Sequence, residues 1–134
     1  MNTRCSILLL LVFLSLVFFS CEKGESNSPR SIEGSITLKV YVKHHSWGVG
    51  PLDVYLKKSV FEWPGSDTSK YDFHTTTNQN GNCEFKQLFP GNYYLYAIGY
   101  DPIFRDSVIG YIPVKINETN IENLTREVTL YVSE

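Results

Sequence analysis

The residues of this chain with the widest chemical repertoire are three cysteines (Cys5, Cys21, Cys83) and three histidines (His44, His45, His74). A structural or catalytic zinc site needs thiolates, imidazoles or carboxylates at characteristic spacings. Here only His44 and His45 are neighbours. Adjacent residues on a strand point to opposite faces, so these two imidazoles are not expected to share one ion. Asp101 and Asp106 flank Pro102-Ile103-Phe104-Arg105 and carry the oxygen chemistry of a calcium ligand, but the rim of a polar loop accounts for them better. There is no Gly-x-Ser-x-Gly elbow and no phosphate loop. No metal, no cofactor and no catalytic residue is expected. A reading as an enzyme would have to rest on His44, His45 or Asp101.

The elements that position these residues read as strands. From residue 35 the hydrophobic period is two. Ile36, Leu38, Val40 and Val42 form one face of the first strand, and Thr37, Lys39, Tyr41 and Lys43 the other. Leu52, Val54 and Leu56 face inward on the second strand, and Tyr71, Phe73, Thr75 and Thr77 share a face of the third. The fourth turns Cys83 and Phe85 inward, the fifth Tyr93, Leu95 and Ala97, the sixth Ile112, Val114 and Ile116, and the seventh Val128, Leu130 and Val132. Asn80-Gly81 and Pro90-Gly91 supply the turns that a hairpin and a strand connection require. No window carries a helical repeat. The expected fold is all-β, a seven-stranded antiparallel sandwich whose two sheets cover each other's apolar faces.

If each strand reverses direction, connections alternate between the two ends of the sandwich. One end gathers residues 44–50 with Trp47, residues 78–82, and residues 100–107 with Phe104 and Arg105. The other gathers residues 58–70 with Phe61 and Trp63, then 89–92 and 117–123. Aromatic side chains on loops fill partner pockets or stack on sugars. Trp47, Phe104, Arg105 and Trp63 are therefore the candidate binding residues. The competing reading of both tryptophans is a lid folded over the open end of the core. Tyr41, Tyr55, Tyr94 and Tyr96 fall on outward positions and are expected to face water, as β-propensity alone allows.

The chain of 134 residues has a formal charge of -2, and its first 33 residues do not fit the sandwich. Met1 to Arg4 carries one positive charge, and Cys5 to Phe19 is almost continuously apolar. This has the form of a secretory signal and is too short for a comfortable membrane span. The ending Phe18-Phe19-Ser20-Cys21 resembles a bacterial lipoprotein signal, with Phe18 where leucine is usual. The resemblance implies cleavage after Ser20, lipidation at Cys21 and an envelope location, with the outer membrane as the expected anchor. Glu22 and Glu25 loosely resemble the export signals of Bacteroidetes lipoproteins. Residues 21–33 are polar and read as a flexible tether. Three segments result: signal 1–20, lipidated cysteine and tether 21–33, and sandwich 34–134. Once Arg4 is removed, 11 basic residues face 14 acidic ones, a formal charge of -3. That balance gives no case for nucleic acid. Cys83 is left without a disulfide partner and is expected to be a small buried hydrophobe.

The run Thr77-x-x-x-Gly81-x-Cys83-x-Phe85-x-x-Leu88-x-Pro90-Gly91-x-Tyr93-x-Leu95, together with Gly50-Pro51-Leu52, resembles carboxypeptidase-regulatory-like domains, which belong with Cna-B-type and transthyretin-like sandwiches. The resemblance covers roughly residues 34–100 and speaks to fold. The isopeptide crosslink of Cna-B relatives is not expected, because Lys39 and Lys43 are on the outward face and residues 126–132 contain no Asn. The hydrolase tail of transthyretin-like enzymes is absent too, since the sequence here reads Tyr131-Val132-Ser133-Glu134. The expectation is a lipid-anchored, non-catalytic envelope module that binds a protein or glycan partner. The alternative is a structural spacer or a subunit of a pilus or nutrient-uptake assembly.

Overall fold

Among the described residues, period-two patterning produces eight strands in two sheets. The computed structural model describes Gly34, residues 36–117 and residues 125–134. The signal, Cys21, the tether and most of the 117–123 connection lie outside the described residues. The strands are β1 (Ile36–His44), β2 (Trp47–Gly48), β3 (Asp53–Lys58), β4 (Phe73–Thr76), β5 (Asn82–Leu88), β6 (Gly91–Asp101), β7 (Asp106–Ile116) and β8 (Thr125–Val132). One sheet places β1 between β8 on one side and β5 and β2 on the other, and the second runs β4-β3-β6-β7. The architecture is an all-β sandwich. The sole helical turn among the described residues is a 3-10 turn at Thr68–Lys70, with Asp67 accepting from the Ser69 amide at its start.

Two particulars differ from a seven-stranded antiparallel arrangement. The two-residue β2 adds a strand, because His45 takes a left-handed backbone conformation (φ 54°) and folds Trp47 back against His44. The β1–β8 pair is parallel, with Val40 opposite Val128 and His44 opposite Val132. Strict reversal explains this pairing. The first and seventh long strands run the same way, and they are neighbours in one sheet, so their ladder must be parallel. The same rule brings the end of β8 to the end of the sandwich where β1 also finishes.

The core lies where the alternation puts it. Ile36, Leu38, Val40, Val42, Leu52, Val54, Leu56, Leu95, Ala97, Val108 and Leu130 are buried between the sheets. Each fully buried branched aliphatic is worth about 1.5–3 kcal/mol relative to exposure. Leu88 reaches the same core although it is an odd number of residues from Phe85. A register shift opposite Ile36–Leu38, with Gln87 left-handed (φ 57°), restores its face. The Asn78–Asn82 turn is held by the Asn78 side chain, whose Oδ1 accepts from the amides of Asn80 (2.9 Å) and Asn82 (3.0 Å). Gly81 (φ 78°) is required there, since a Cβ would meet the Val42 carbonyl oxygen. The Tyr93 hydroxyl donates to the Phe89 carbonyl (2.8 Å) and accepts from its amide (3.2 Å), which fixes the Pro90-Gly91 turn.

Three sequence expectations need correction. Tyr94 and Tyr96 do not face water. They are buried, Tyr96 to 1% exposure, on the outer face of the second sheet. Tyr71 is not on the core face of the third strand, because that strand begins only at Phe73 and Tyr71 instead packs against Tyr55 and Tyr96. The physical cause is common to all three: residues 59–72 carry Trp63 and Tyr71 onto this outer face and shield it.

Candidate functional site

The core-facing parity of β1, β6 and β8 does not stop with the hydrophobic residues. Continued by one step it selects His44 after Val42, Asp101 after Ala97 and Gly99, and Glu134 after Val132. These three polar residues close one end of the sandwich, contributed by both sheets. His44 and Asp101 are each only 2% exposed, and His44 Nδ1 lies 2.8 Å from Asp101 Oδ2. The other oxygen of Asp101 accepts from the amides of Ile103 (2.8 Å) and Phe104 (3.3 Å). A buried carboxylate of this kind is stable only if its lone pairs are used. Burial by itself raises the Asp101 pKa. The hydrogen bond from His44 and those from the two amides more than reverse that, so the carboxyl titrates below its ordinary range. Since both oxygens act as acceptors, His44 Nδ1 carries the proton that is donated to Asp101. Any calcium role for Asp101 with Asp106 is disfavoured by the same geometry, because Asp101 is committed inward and Asp106 accepts from the Ser107 amide (2.7 Å).

His45 does not point away from His44. Its left-handed backbone breaks the strand alternation, and the two imidazoles stack with centroids 4.3 Å apart and planes 22° off parallel. Phe104 meets both rings edge-on, at 4.9 and 5.0 Å. The second nitrogen of His44, Nε2, faces Glu134 Oε1 at 3.6 Å. Nitrogen and oxygen donor atoms of His44, His45 and Glu134 all lie within 4.8 Å of one another, the spacing of a potential metal-ligand set. The expectation that the paired histidines could not converge fails at one backbone torsion.

The candidate binding residues divide into two regions. Trp47 is 69% exposed on β2, directly opposite His44. Ile103 (73% exposed) and Phe104 sit on the β6–β7 turn that Asp101 shapes. Arg105 is exposed in the same turn, left-handed at φ 58°, and forms no ion pair among the described residues. Trp47 and Phe104 therefore border the histidine cluster, and Arg105 follows Phe104 in the same turn. Trp63 is elsewhere. It stacks on Tyr111 with centroids 4.3 Å apart and planes 7° off parallel, and lies 6.4 Å from Tyr96. Tyr55, Tyr71 and His74 extend this layer, with Tyr55 and His74 stacked at 4.6 Å. Trp63 covers the outside of a sheet and does not plug the end of the core.

Cys83 is half-buried and packs against the core. Burial, with a smaller contribution from the Glu84 charge, pushes its thiol up to about 11. It stands apart from the histidine end, beside Lys39, Tyr41, Asn82 and Glu84.

Sequence reasoning missed Glu134 and the convergence of His44 with Asp101. The signal was present in the parity of their strands and in the parallel return of β8. It was obscured because polar residues at core-facing positions look like the end of a strand.

No protein-family model and no curated protein matches the chain. Among solved structures it is similar to the major pilin subunit BcpA of Bacillus cereus, at 13% identity and a TM-score of 0.48. The match covers 74% of this chain and 30% of the pilin, so this chain spans less than a third of that protein's length. A likeness of that size carries no inference about activity.

Proposed function

We propose that this protein is a non-catalytic recognition module of the bacterial cell envelope, tethered by a lipid at Cys21, that engages a protein partner through the Trp47–Ile103–Phe104 end of its sandwich. One observation carries the reading. Three large apolar side chains stand exposed on two loops whose conformation is fixed from below: by the Asp101 side chain, which holds the Ile103 and Phe104 amides, and by β2, which pairs with β1. Such pre-ordering lowers the entropic cost of association. Aromatic anchors on a rigid support are the usual centre of a binding surface. The mixture of an indole with an isoleucine and an edge-on phenyl ring suits an apolar protein pocket better than a sugar face, which favours flat rings flanked by hydrogen-bonding groups.

The alternative, a spacer or a subunit of an envelope assembly, has its own support. β7 pairs along its length with β6, and on its other side the described residues show only the Ile109–Ser133 bridge. An unpaired strand edge of that kind accepts an added strand.

Site-specific photocrosslinking from position 103 in native membranes tests the first reading. The expected result is one protein adduct that is lost in Trp47→Ala and retained in Trp63→Ala. Adduct formation that ignores Trp47, or binding on a glycan array instead, contradicts it. Crosslinking only from the outer edge of β7 supports assembly. Cys21→Ala should move the protein from the membrane to the soluble fraction, and retention on the membrane contradicts the anchor.

A further inference from the structure

We infer that His44, His45 and Glu134 form a site for a divalent transition metal ion of the zinc class, with Asp101 as the positioning residue behind His44. This stands on side-chain geometry and is independent of what binds the aromatic rim.

The argument begins with the tautomer. Asp101 accepts from two backbone amides through one oxygen and from His44 Nδ1 through the other. It thereby places the imidazole proton on Nδ1 and leaves the Nε2 lone pair for a ligand. A carboxylate that orients a histidine and raises its basicity is the usual outer partner of a metal-bound imidazole. Nε2 then looks toward Glu134 Oε1 at 3.6 Å. A lone pair facing an exposed carboxylate at that distance calls for a donor or a cation between them. A proton on Nε2, a bridging water or a metal ion would each supply it.

The surroundings favour the metal. A second imidazole, His45, is brought into the same space by the left-handed backbone of the two-residue turn that joins β1 to β2. A proton shared between His44 and Glu134 has no use for it. The three donor groups lie within 4.8 Å of one another. Ligands about 2.0–2.1 Å from a tetrahedral centre are separated by roughly 3.3 Å, so closure by at most about 1.5 Å is needed, together with a turn of the His45 ring out of its stack on His44, which brings both in-plane lone pairs onto one ion. His45 and Glu134 are both exposed and can supply that movement, while buried His44 stays fixed. Two imidazole nitrogens and one carboxylate oxygen suit zinc and its neighbours, and the two nitrogens argue against calcium or magnesium. Three protein ligands leave a coordination position for water or for a donor from a partner. Phe104, edge-on to both rings, shields one side of the cluster.

The experiment uses the untagged full chain. Zn²⁺ binding is measured by isothermal titration calorimetry, and Co²⁺ substitution is followed by visible absorption. The expected result is one ion per chain, with Co²⁺ bands of low-symmetry, four- or five-coordinate nitrogen and oxygen ligation. His45→Ala and Glu134→Gln alter exposed side chains, so they keep the fold, checked by circular dichroism, and each should weaken Zn²⁺ at least tenfold. Asp101→Asn should weaken it by about 10–100-fold, as loss of an orienting carboxylate does. His74→Ala removes the one histidine outside the cluster and should change nothing. Absence of Zn²⁺ binding, affinity indifferent to both His45→Ala and Glu134→Gln, or loss on His74→Ala overturns the proposal.

Discussion

Two regions of this molecule carry tryptophan on a loop, and they have opposite fates. At the outer face of the second sheet, Trp63 stacks on Tyr111, and Tyr71 joins Tyr55 and Tyr96, so the loop and the sheet satisfy each other. The Tyr71 hydroxyl donates to the Gly65 carbonyl (2.8 Å), and Asp72 accepts from the Lys58 amide (2.8 Å), which pins both ends of the covering segment. At the end of the sandwich, Trp47 covers nothing of comparable extent. Beneath its loop lies a buried polar pair, His44 and Asp101. The contrast teaches that an aromatic residue on a loop is neither lid nor binding residue by type. What the side chain finds underneath decides. Where outward tyrosines wait on the strand, it completes a second small core. Where a histidine and a carboxylate wait, it stays exposed.

Substitutions can break this comparison. The largest effect is expected at Tyr96→Ala, which removes the floor of the aromatic layer. Loss of a fully buried ring should cost about 3–4 kcal/mol in urea denaturation, and a cost below about 1 kcal/mol would show that the layer is decoration. Asp101→Ala should follow. It strands a buried histidine and two amides, for about 3 kcal/mol, whereas Asp101→Asn keeps an acceptor for the amides and should recover a good part of that loss. Equal losses for the two variants would mean that the carboxylate has no role beyond filling space.

Cys83 sharpens the comparison from outside both regions. Its thiol is pushed up to about 11 by burial and by Glu84. The thiolate is the reactive form, so alkylation of the folded protein should be slow at pH 8 and accelerate with pH until about 11. The linkage has a definite sign. A folded-state pKa above the unfolded value gives stability that is complete below about 8.5 and is lost as pH rises toward 11. Cys83→Ala should flatten that decline and leave Zn²⁺ binding unchanged. Rapid alkylation at neutral pH would contradict the burial. Dependence of metal binding on Cys83 would move the site away from the histidines.

The inner core was legible from the sequence because one physical rule, alternation, governs nearly all of it; Leu88 enters only through the register shift opposite Ile36–Leu38. Ile36 through Val42, Leu52 through Leu56 and Leu95 through Ala97 all sit where period two places them. The turns were legible for a related reason, since Asn80-Gly81 and Pro90-Gly91 leave the backbone few options. Coverage of Tyr94 and Tyr96 was not legible. It depends on where a loop of more than ten residues lands, which no local pattern encodes. The histidine end failed at a single torsion. His45 is neither glycine nor asparagine, so its positive φ could not be anticipated, and with alternation assumed the two imidazoles were sent to opposite faces. Glu134 was missed because its position depends on the parallel return of β8, a consequence of counting reversals across the whole chain.

The central claim is that the Trp63 face is built for stability and the Trp47 end for contact. Parallel urea denaturation of Trp63→Ala and Trp47→Ala against the parent protein tests it most directly. Trp63→Ala should lose about 2 kcal/mol, the cost of truncating a partly buried stacked ring. Trp47→Ala should stay within about 0.5 kcal/mol, as exposed substitutions do. Equal losses, or a larger loss at Trp47, would contradict the division between the two regions.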